Sequence, residues 1–149
     1  MLALTLKQPY AWMVIFGSKD IENRSWVNSV LQGLIDRQEE FAIHAGLDCT
    51  KEYYRQAVEF ARAQDPELEV PKRQDLLLGA LIGTVIPVRV YTPEDWTPQR
   101  PWHMPDQNGW QLQDRKPLVR AIAMRGRQGF WKLDEKIARQ VWATRESDV

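Results

Sequence analysis

Three side chains that could carry chemistry occupy alternate positions of the segment KDIENRSW. If this segment is a strand, Glu22, Arg24 and Trp26 share one face, with neighbours roughly 6–7 Å apart. Glu22 could act as a general base on an attacking water, while Lys19 or Arg24 stabilises the developing oxyanion. Arg24 could also hold a phosphate through its forked guanidinium. The structural alternative is that Lys19, Glu22 and Arg24 form a salt-bridge network that orients the first loop.

The residues before this strand predict a short helix that positions it. Pro9 suits the first helical position, because its missing N–H has no intrahelical partner there. The run from Tyr10 to Phe16 is apolar without a break, so we expect the helix, including Trp12, to be buried nearly all round. Gly17 then supplies the turn that ends it.

The rest of the chain predicts strands interrupted by single helices, without regular βαβ alternation. Thr50 and Asp134 can cap two of the helices. Strand patterns cover residues 2–6, 41–45, 79–91, 118–124 and 130–133, and helical patterns cover about 51–63 and the segment after 134. This order favours an α+β fold, a small mixed or antiparallel β-barrel flanked by helices, over a doubly wound sheet.

Three further expectations concern individual segments. The strand at 79–91 is expected to be the longest and to bend at Pro87, which cannot donate to a ladder. Residues 27–40 are interpreted as a loop, because they carry Asn28, Gly33 and a polar tail. Residues 92–117 are rich in Pro and Trp and lack periodicity, which is typical of a lid or a binding loop. A weaker interpretation is that this last segment docks a protein partner.

Charge is balanced in total but uneven along the chain. The 149 residues hold 20 basic and 20 acidic side chains, which argues against a strong, non-specific polyanion binder. Residues 115–139, however, hold eight basic and two acidic side chains, and Trp110, Phe130 and Trp131 lie beside or among them. Such a region can attract anions, and a nucleobase could stack on an exposed ring. The alternative is that most of these rings are core and most of these charges are solvated.

Several classes of protein are disfavoured by composition. A single Cys49 leaves no disulfide within the chain, and His44, His103 and Cys49 have no metal-ligand spacing. No glycine-rich phosphate loop, membrane-spanning run or signal peptide occurs. We therefore expect one cytoplasmic domain spanning residues 1–149, with no metal and no cofactor.

Taken together, five blocks of the sequence resemble one known family. They are LTLKQPYAWMVIFGSKDIENRSW, FAIHA, GALIGTV, NGWQL and RGRQGFWKL, running from Leu4 to about Leu133. This order and spacing is similar to the ASCH family of the PUA-like superfamily. The resemblance implies a five- or six-stranded β-barrel flanked by helices, with a cleft for RNA or a nucleotide. It also implies that the protein could be an enzyme. One branch of the family hydrolyses the amide of N4-acetylcytidine, and ribonuclease activity has been attributed to the family.

The hydrolytic branch has a Lys before its second strand, a Thr three residues on and a later Glu. Lys19 matches the Lys, but Glu22 stands at the Thr position, and the later Glu has no assigned counterpart here. The nucleophilic hydroxyl is therefore missing where that mechanism needs it. If the protein is an enzyme, Lys19 and Glu22 are the predicted catalytic residues.

The prediction is accordingly an RNA-binding or modified-nucleotide-binding ASCH-domain protein that recognises a base in a charged, Trp-lined cleft. The alternative is a hydrolase acting on a modified nucleoside, or a ribonuclease. Lys7 and Gln8, before the first helix, could reach a ligand or cap the helix. The predicted ligand-binding residues are Lys7, Gln8, Lys19, Glu22, Asn23, Arg24, Trp26, Trp110, Arg125 and Arg127.

Overall fold

The structure, a computed structural model, describes residues 1–145. Its strands are β1 (Leu2–Leu6), β2 (Ile21–Arg24), β3 (Phe41–Ala45), β4 (Ala80–Tyr91), β5 (Asn108–Ala123) and β6 (Phe130–Lys132). Its α-helices are α1 (Tyr10–Ile15), α2 (Ser29–Arg37), α3 (Lys51–Gln64) and α4 (Glu135–Thr144). Short 3₁₀ turns lie at Arg73–Asp75 and Pro93–Asp95. No helix within these 145 residues is both long and apolar enough to cross a membrane.

The strands form one curled mixed sheet, in the order β2-β5-β4-β3-β1-β6. β1 and β3 are parallel, and the other neighbours are antiparallel. The sheet curls into a half-barrel flanked by the four helices, which confirms the predicted α+β architecture. The pairing of β4 with β5 shifts register near Pro87, where we predicted a bend.

Helix α1 packs against β1, β3, β4 and β5, and its burial is less complete than predicted. Ala11, Met13, Val14 and Ile15 are buried, as expected of an apolar run. Phe16, however, is 50% exposed, and the predicted core residue Trp12 is only partly buried. A helix of this length turns at least one side to solvent unless a second layer covers it.

The segment 27–40 is a helix, so the loop interpretation was wrong. Asn28 caps it, since its side-chain oxygen accepts a hydrogen bond from the Leu31 amide at 3.0 Å. Leu31 and Leu34, three residues apart, are buried against the sheet. Gly33 lies inside the helix, where the gain from burying these leucines outweighs its poor helix propensity.

The irregular segment and the longest strand also differ from prediction. β5 has 16 residues against 12 in β4, and it joins the predicted strand 118–124 to the second half of the supposed loop. The irregular segment is therefore 92–107. Its polar, Pro-containing sequence hides the strand, because β5 is largely exposed beyond Leu112 and so lacks an apolar alternation.

Both faces of β3 are buried, which explains how the small domain holds so many aromatic rings. Phe41 and Ile43 belong to the core under α1 and α2, while Ala42 packs in a second core with Trp131 and Val141 of α4.

The caps predicted for the flanking helices are confirmed. Thr50 accepts from the Tyr53 amide and Asp134 from the Ile137 amide.

Candidate functional site

A cavity of about 740 Å³, here called the central cavity, opens beside β2 and the connection between β5 and β6. Residues of β1, α1, β2 and α3 and of five loops line it: Thr5, Leu6, Lys7, Tyr10, Lys19, Glu22, Asn23, Arg24, Trp26, Tyr53, Met104, Gln107, Arg127, Gln128 and Gly129. The charged strand, part of the 92–117 segment and the glycine turn thus meet in one place.

The end of α1 fixes Lys19 at the base of the cavity. The Lys19 amide donates to the Met13 carbonyl at 3.1 Å, so the chain turns sharply back after Gly17. The Arg115 guanidinium then donates to the carbonyls of Val14, Gly17 and Lys19 at 3.2, 3.0 and 3.2 Å. A cation here satisfies carbonyls that the helix end leaves unpaired.

Lys19, Glu22 and Arg24 form an ion triad in the cavity wall. Glu22 Oε1 lies 3.4 Å from Lys19 Nζ, and Oε2 accepts from Arg24 Nε at 2.9 Å. The Lys19 ammonium also donates to the Ile21 carbonyl, and Arg24 Nη2 donates to the Thr5 carbonyl at 2.8 Å. Lys19 is 1% exposed and Glu22 is 8% exposed. Each carboxylate oxygen is therefore engaged by a cation.

Burial sets the protonation chemistry of Lys19. Loss of hydration lowers the pKa of its amine, and the nearby Arg24 charge acts in the same direction. The Glu22 carboxylate partly opposes this change by favouring the ammonium form. A lysine with a lowered pKa presents its free amine more readily, which is what a base or nucleophile requires.

Two tyrosines and one tryptophan supply the flat surfaces of the central cavity. Tyr10 and Tyr53 meet edge to face, with ring centroids 5.9 Å apart. Lys19 Nζ lies 5.1 Å from the Tyr10 ring and Lys7 Nζ lies 5.0 Å from the Tyr53 ring. Trp26 lies on the opposite side of the triad, with the Arg24 guanidinium 5.9 Å from its ring. Cations near ring faces are favourable contacts and also hold the rings in place.

Both phenols keep their protons at neutral pH. Desolvation raises the pKa of Tyr10 well above its ordinary range, helped by Tyr53 and Glu22. Desolvation and the Glu22 charge raise the pKa of Tyr53 to about 12. Each hydroxyl can therefore donate a hydrogen bond to a ligand as well as accept one.

Trp110, predicted to bind the ligand, lies behind the cavity and does not line it. It is fully buried, at 0% exposure, and its ring stacks on Phe130 with centroids 5.9 Å apart. Its contact with Trp26 is edge to face at 5.0 Å. Trp110 thus supports Trp26 from the core.

Two other predicted ligand residues have their polar groups occupied by the protein. Gln8 Oε1 accepts from the Trp12 amide at 2.9 Å and its Nε2 donates to the Leu77 carbonyl at 2.9 Å, so it has the capping role. Asn23 lines the cavity, but its amide donates to the Trp102 carbonyl and accepts from the Met104 amide, both at 2.8 Å. Asn23 therefore ties the 92–107 segment to β2.

The connection between β5 and β6 is held against His44 and Thr5. His44 Nε2 lies 2.8 Å from the Met124 carbonyl, so it donates there, and Nδ1 can accept from the Thr5 hydroxyl at 3.1 Å. Gly126 packs so closely that a Cβ on it would lie 2.6 Å from Thr5 Oγ1. This contact positions Arg127, which lines the central cavity. Arg125 instead lines a neighbouring cavity, which Arg127 also borders.

The charge of the cavity wall is positive. Lys7, Lys19, Arg24 and Arg127 face it together with a single carboxylate, Glu22. This favours an anionic ligand. Among residues 1–145, no group of three His, Cys, Asp or Glu side chains could hold a metal ion.

Comparison with solved structures reveals the fold relationship. The ASCH protein of Zymomonas mobilis superposes with a TM-score of 0.52 at 11% identity, covering 97% of this chain and 95% of that one. A mutant of the same protein superposes with a TM-score of 0.57 at 11% identity, covering 97% and 96%. The chain has the ASCH-domain fold. No family model and no curated protein matches the sequence.

Within this ASCH fold, sequence reasoning missed several lining residues. Tyr10 was assigned to the core because it continues an apolar run, and Tyr53 because it lies on the apolar stripe of α3. Each is only partly buried, and the phenol oxygen is what distinguishes it from its neighbours. Met104 and Gln107 come from the irregular segment, whose course no local pattern specifies.

Proposed function

We propose that this ASCH-fold protein binds RNA or a modified nucleotide, with one base in the central cavity. The observation that carries the proposal is that an ion triad, with Lys19 and Glu22 buried and Arg24 partly exposed, meets three aromatic side chains around one cavity of about 740 Å³. Cavities of this size suit small organic ligands. Base recognition by proteins combines ring stacking with hydrogen bonds to the base edge.

Each wall has a distinct role in this proposal. Trp26 and Tyr53 offer ring faces for stacking, and the Tyr10 and Tyr53 hydroxyls reach the base edge. Arg24, partly exposed beside Trp26, contacts a phosphate through the guanidinium nitrogens that Glu22 and Thr5 leave available. Lys7 and Arg127 add positive charge at the cavity rim.

The test is a binding titration by calorimetry with ribonucleoside monophosphates, acetylated and methylated nucleosides, and short RNA. Arg24→Lys is expected to weaken phosphate-bearing ligands more than nucleosides, because lysine cannot reproduce the forked contact. Tyr53→Phe is expected to weaken both, with thermal melting confirming the fold. Arg62→Lys, an exposed change on α3, is the matched control. The proposal fails if the folded protein binds none of these ligands.

A second candidate is hydrolysis of a modified nucleoside, favoured by the lowered pKa of Lys19. In such a reaction Glu22 would take a proton from water, the water oxygen would attack the amide carbon, and the proton would pass to the departing amine. Both Glu22 oxygens are already bonded to cations, however, so neither is free to accept a proton from water. This is why binding is placed first.

Turnover assays separate the two candidates. The same nucleoside panel and labelled RNA are incubated with the protein and with Glu22→Gln, and products are separated chromatographically. Turnover by the parent that Glu22→Gln abolishes would make the protein a hydrolase. Tight binding without turnover in the parent would support a reader of modified bases.

A further inference from the structure

A second cavity, here called the basic cavity, adjoins the central cavity and has about 720 Å³ of space. It is lined by Met1, Met124, Arg125, Arg127, Trp131, Lys132, Leu133, Asp134, Glu135 and Ala138. Arg127 borders both cavities. A ligand that fills the central cavity and extends past Arg127 therefore enters the basic cavity.

The basic cavity is lined by three cations and two acids. The cations Arg125, Arg127 and Lys132 form no ion pair with other residues that the structure describes. The two acids lie at the start of α4 and are bonded to other groups there. Asp134 accepts from the Ile137 amide at 2.8 Å, and Glu135 pairs with Arg139 at 3.0 Å. The net field between the two cavities therefore favours an anionic group.

The remaining lining of the basic cavity is apolar and flat. Trp131 is buried, with 7% of its surface exposed, and packs edge to face against His44 at 5.6 Å, while Met1 and Met124 add polarisable side chains. Apolar side chains beside unpaired cations suit a base that packs on them, with its phosphate at the cations. The acids at the start of α4 disfavour a further phosphate at that end. The cavity thus suits one nucleotide unit.

The shared arginine is held in a defined place. His44 fixes the Met124 carbonyl, and the Thr5 hydroxyl lies 3.4 Å from the Arg127 carbonyl. Gly126 between them packs directly on both side chains. The backbone that carries Arg125 and Arg127 is therefore pre-positioned, which lowers the entropic cost of binding.

We propose that the basic cavity holds the adjoining nucleotide of a single strand whose first base occupies the central cavity, with the bridging phosphate at Arg127. This inference rests on the proposed function and narrows its ligand to an oligonucleotide of at least two units. Arg125 and Lys132 contact the second unit only. A mononucleotide fills the central cavity and leaves them unused.

The experiment compares ribonucleoside monophosphates with the corresponding dinucleotides by calorimetry, at two or more salt concentrations. The dinucleotides are expected to bind more tightly. Arg125→Ala combined with Lys132→Ala should weaken dinucleotide binding about tenfold or more, the range for charge-assisted hydrogen bonds, while mononucleotide binding stays unchanged. The salt dependence should also become less steep, because fewer counterions are released.

Lys136→Ala is the matched control. Lys136 is exposed on α4 close to the basic cavity but does not line it. It should leave dinucleotide affinity within about twofold, since a single distant surface charge is screened. Arg125 and Lys132 are exposed, so their variants are expected to fold, and thermal melting checks this.

Different failures have different meanings. Mononucleotide binding without any gain for the dinucleotide would overturn the second subsite and leave the proposed function standing. So would an equal loss from Lys136→Ala and from the Arg125 and Lys132 variant. Absence of binding for every ligand would overturn the proposed function, and this inference with it.

Discussion

The central cavity has two charged walls that differ in how their charges are balanced. The wall on β2 is largely buried at Lys19 and Glu22, and its triad of Lys19, Glu22 and Arg24 is internally paired. The wall on the β5–β6 connection is exposed, and its Arg127 forms no ion pair with other described residues. Burial forces charges to pair, because an unpaired buried ion is costly. Exposed charges stay available for a ligand.

The largest expected effect tests the buried wall. Glu22→Ala should lower the free energy of unfolding by roughly 3–5 kcal/mol, because it leaves Lys19 buried without its counter-charge. Glu39→Ala removes the carboxylate of an exposed pair with Arg37, 2.8 Å apart, and should cost at most about 1 kcal/mol. Urea denaturation measures both. Similar losses for the two variants would contradict the distinction between the walls.

A smaller effect is expected where the exposed wall is anchored. Gly126→Ala places a Cβ 2.6 Å from Thr5 Oγ1 and 2.7 Å from the His44 ring, so we expect a loss of roughly 1–3 kcal/mol from overpacking. Nucleotide affinity should fall as well, since Arg127 shifts with the backbone. Gln128→Ala, an exposed change in the same segment, is the control for stability, and Arg62→Lys, outside the central cavity, is the control for affinity. An unchanged melting temperature for Gly126→Ala would show that the segment adapts freely.

The pH dependence of stability sharpens the comparison further. Because the Lys19 pKa lies below 10.5, the unfolded chain binds more protons than the folded one between the lowered value and 10.5. The stability of the parent relative to Lys19→Met should therefore rise with pH through this window. Tyr10 and Tyr53 have raised pKa values and reduce stability above pH 10, so the comparison stops there. A stability difference between the parent and Lys19→Met that does not change from pH 7 to pH 10 would contradict the lowered pKa of Lys19.

The smallest effect on stability is expected for the exposed wall itself. Arg127→Ala should change the free energy of unfolding by less than about 0.5 kcal/mol, as for most surface substitutions. Its effect should appear in nucleotide binding. The slope of log affinity against log salt concentration should become less steep by about 1, the value for the loss of one phosphate contact. A large loss of stability would show that Arg127 is structural.

Local patterns predicted much of the fold for identifiable reasons. Some features depend only on residues a few positions apart in the chain. These are the helix caps at Thr50 and Asp134 and the apolar strand Phe41–Ala45. Helix α2 was missed because Asn28, Gly33 and the polar tail were given more weight than the helical spacing of Leu31 and Leu34, which are buried against the sheet. The second half of the 92–117 segment was missed because β5 is held by pairing with β2 and β4.

The sequence alone determined that Glu22 and Arg24 share one face of β2, because alternate residues of a strand point to the same side. The predicted strand was too long, since β2 ends at Arg24 and Trp26 reaches the cavity from the loop that follows. The sequence also determined the positive charge of the segment that carries Arg125 and Arg127. Only the tertiary structure decided that Tyr10 and Tyr53 meet across two helices, and that Trp110 supports the cavity from behind. Periodicity reports on neighbours along one element, whereas contacts between elements depend on how the sheet curls and which faces it buries.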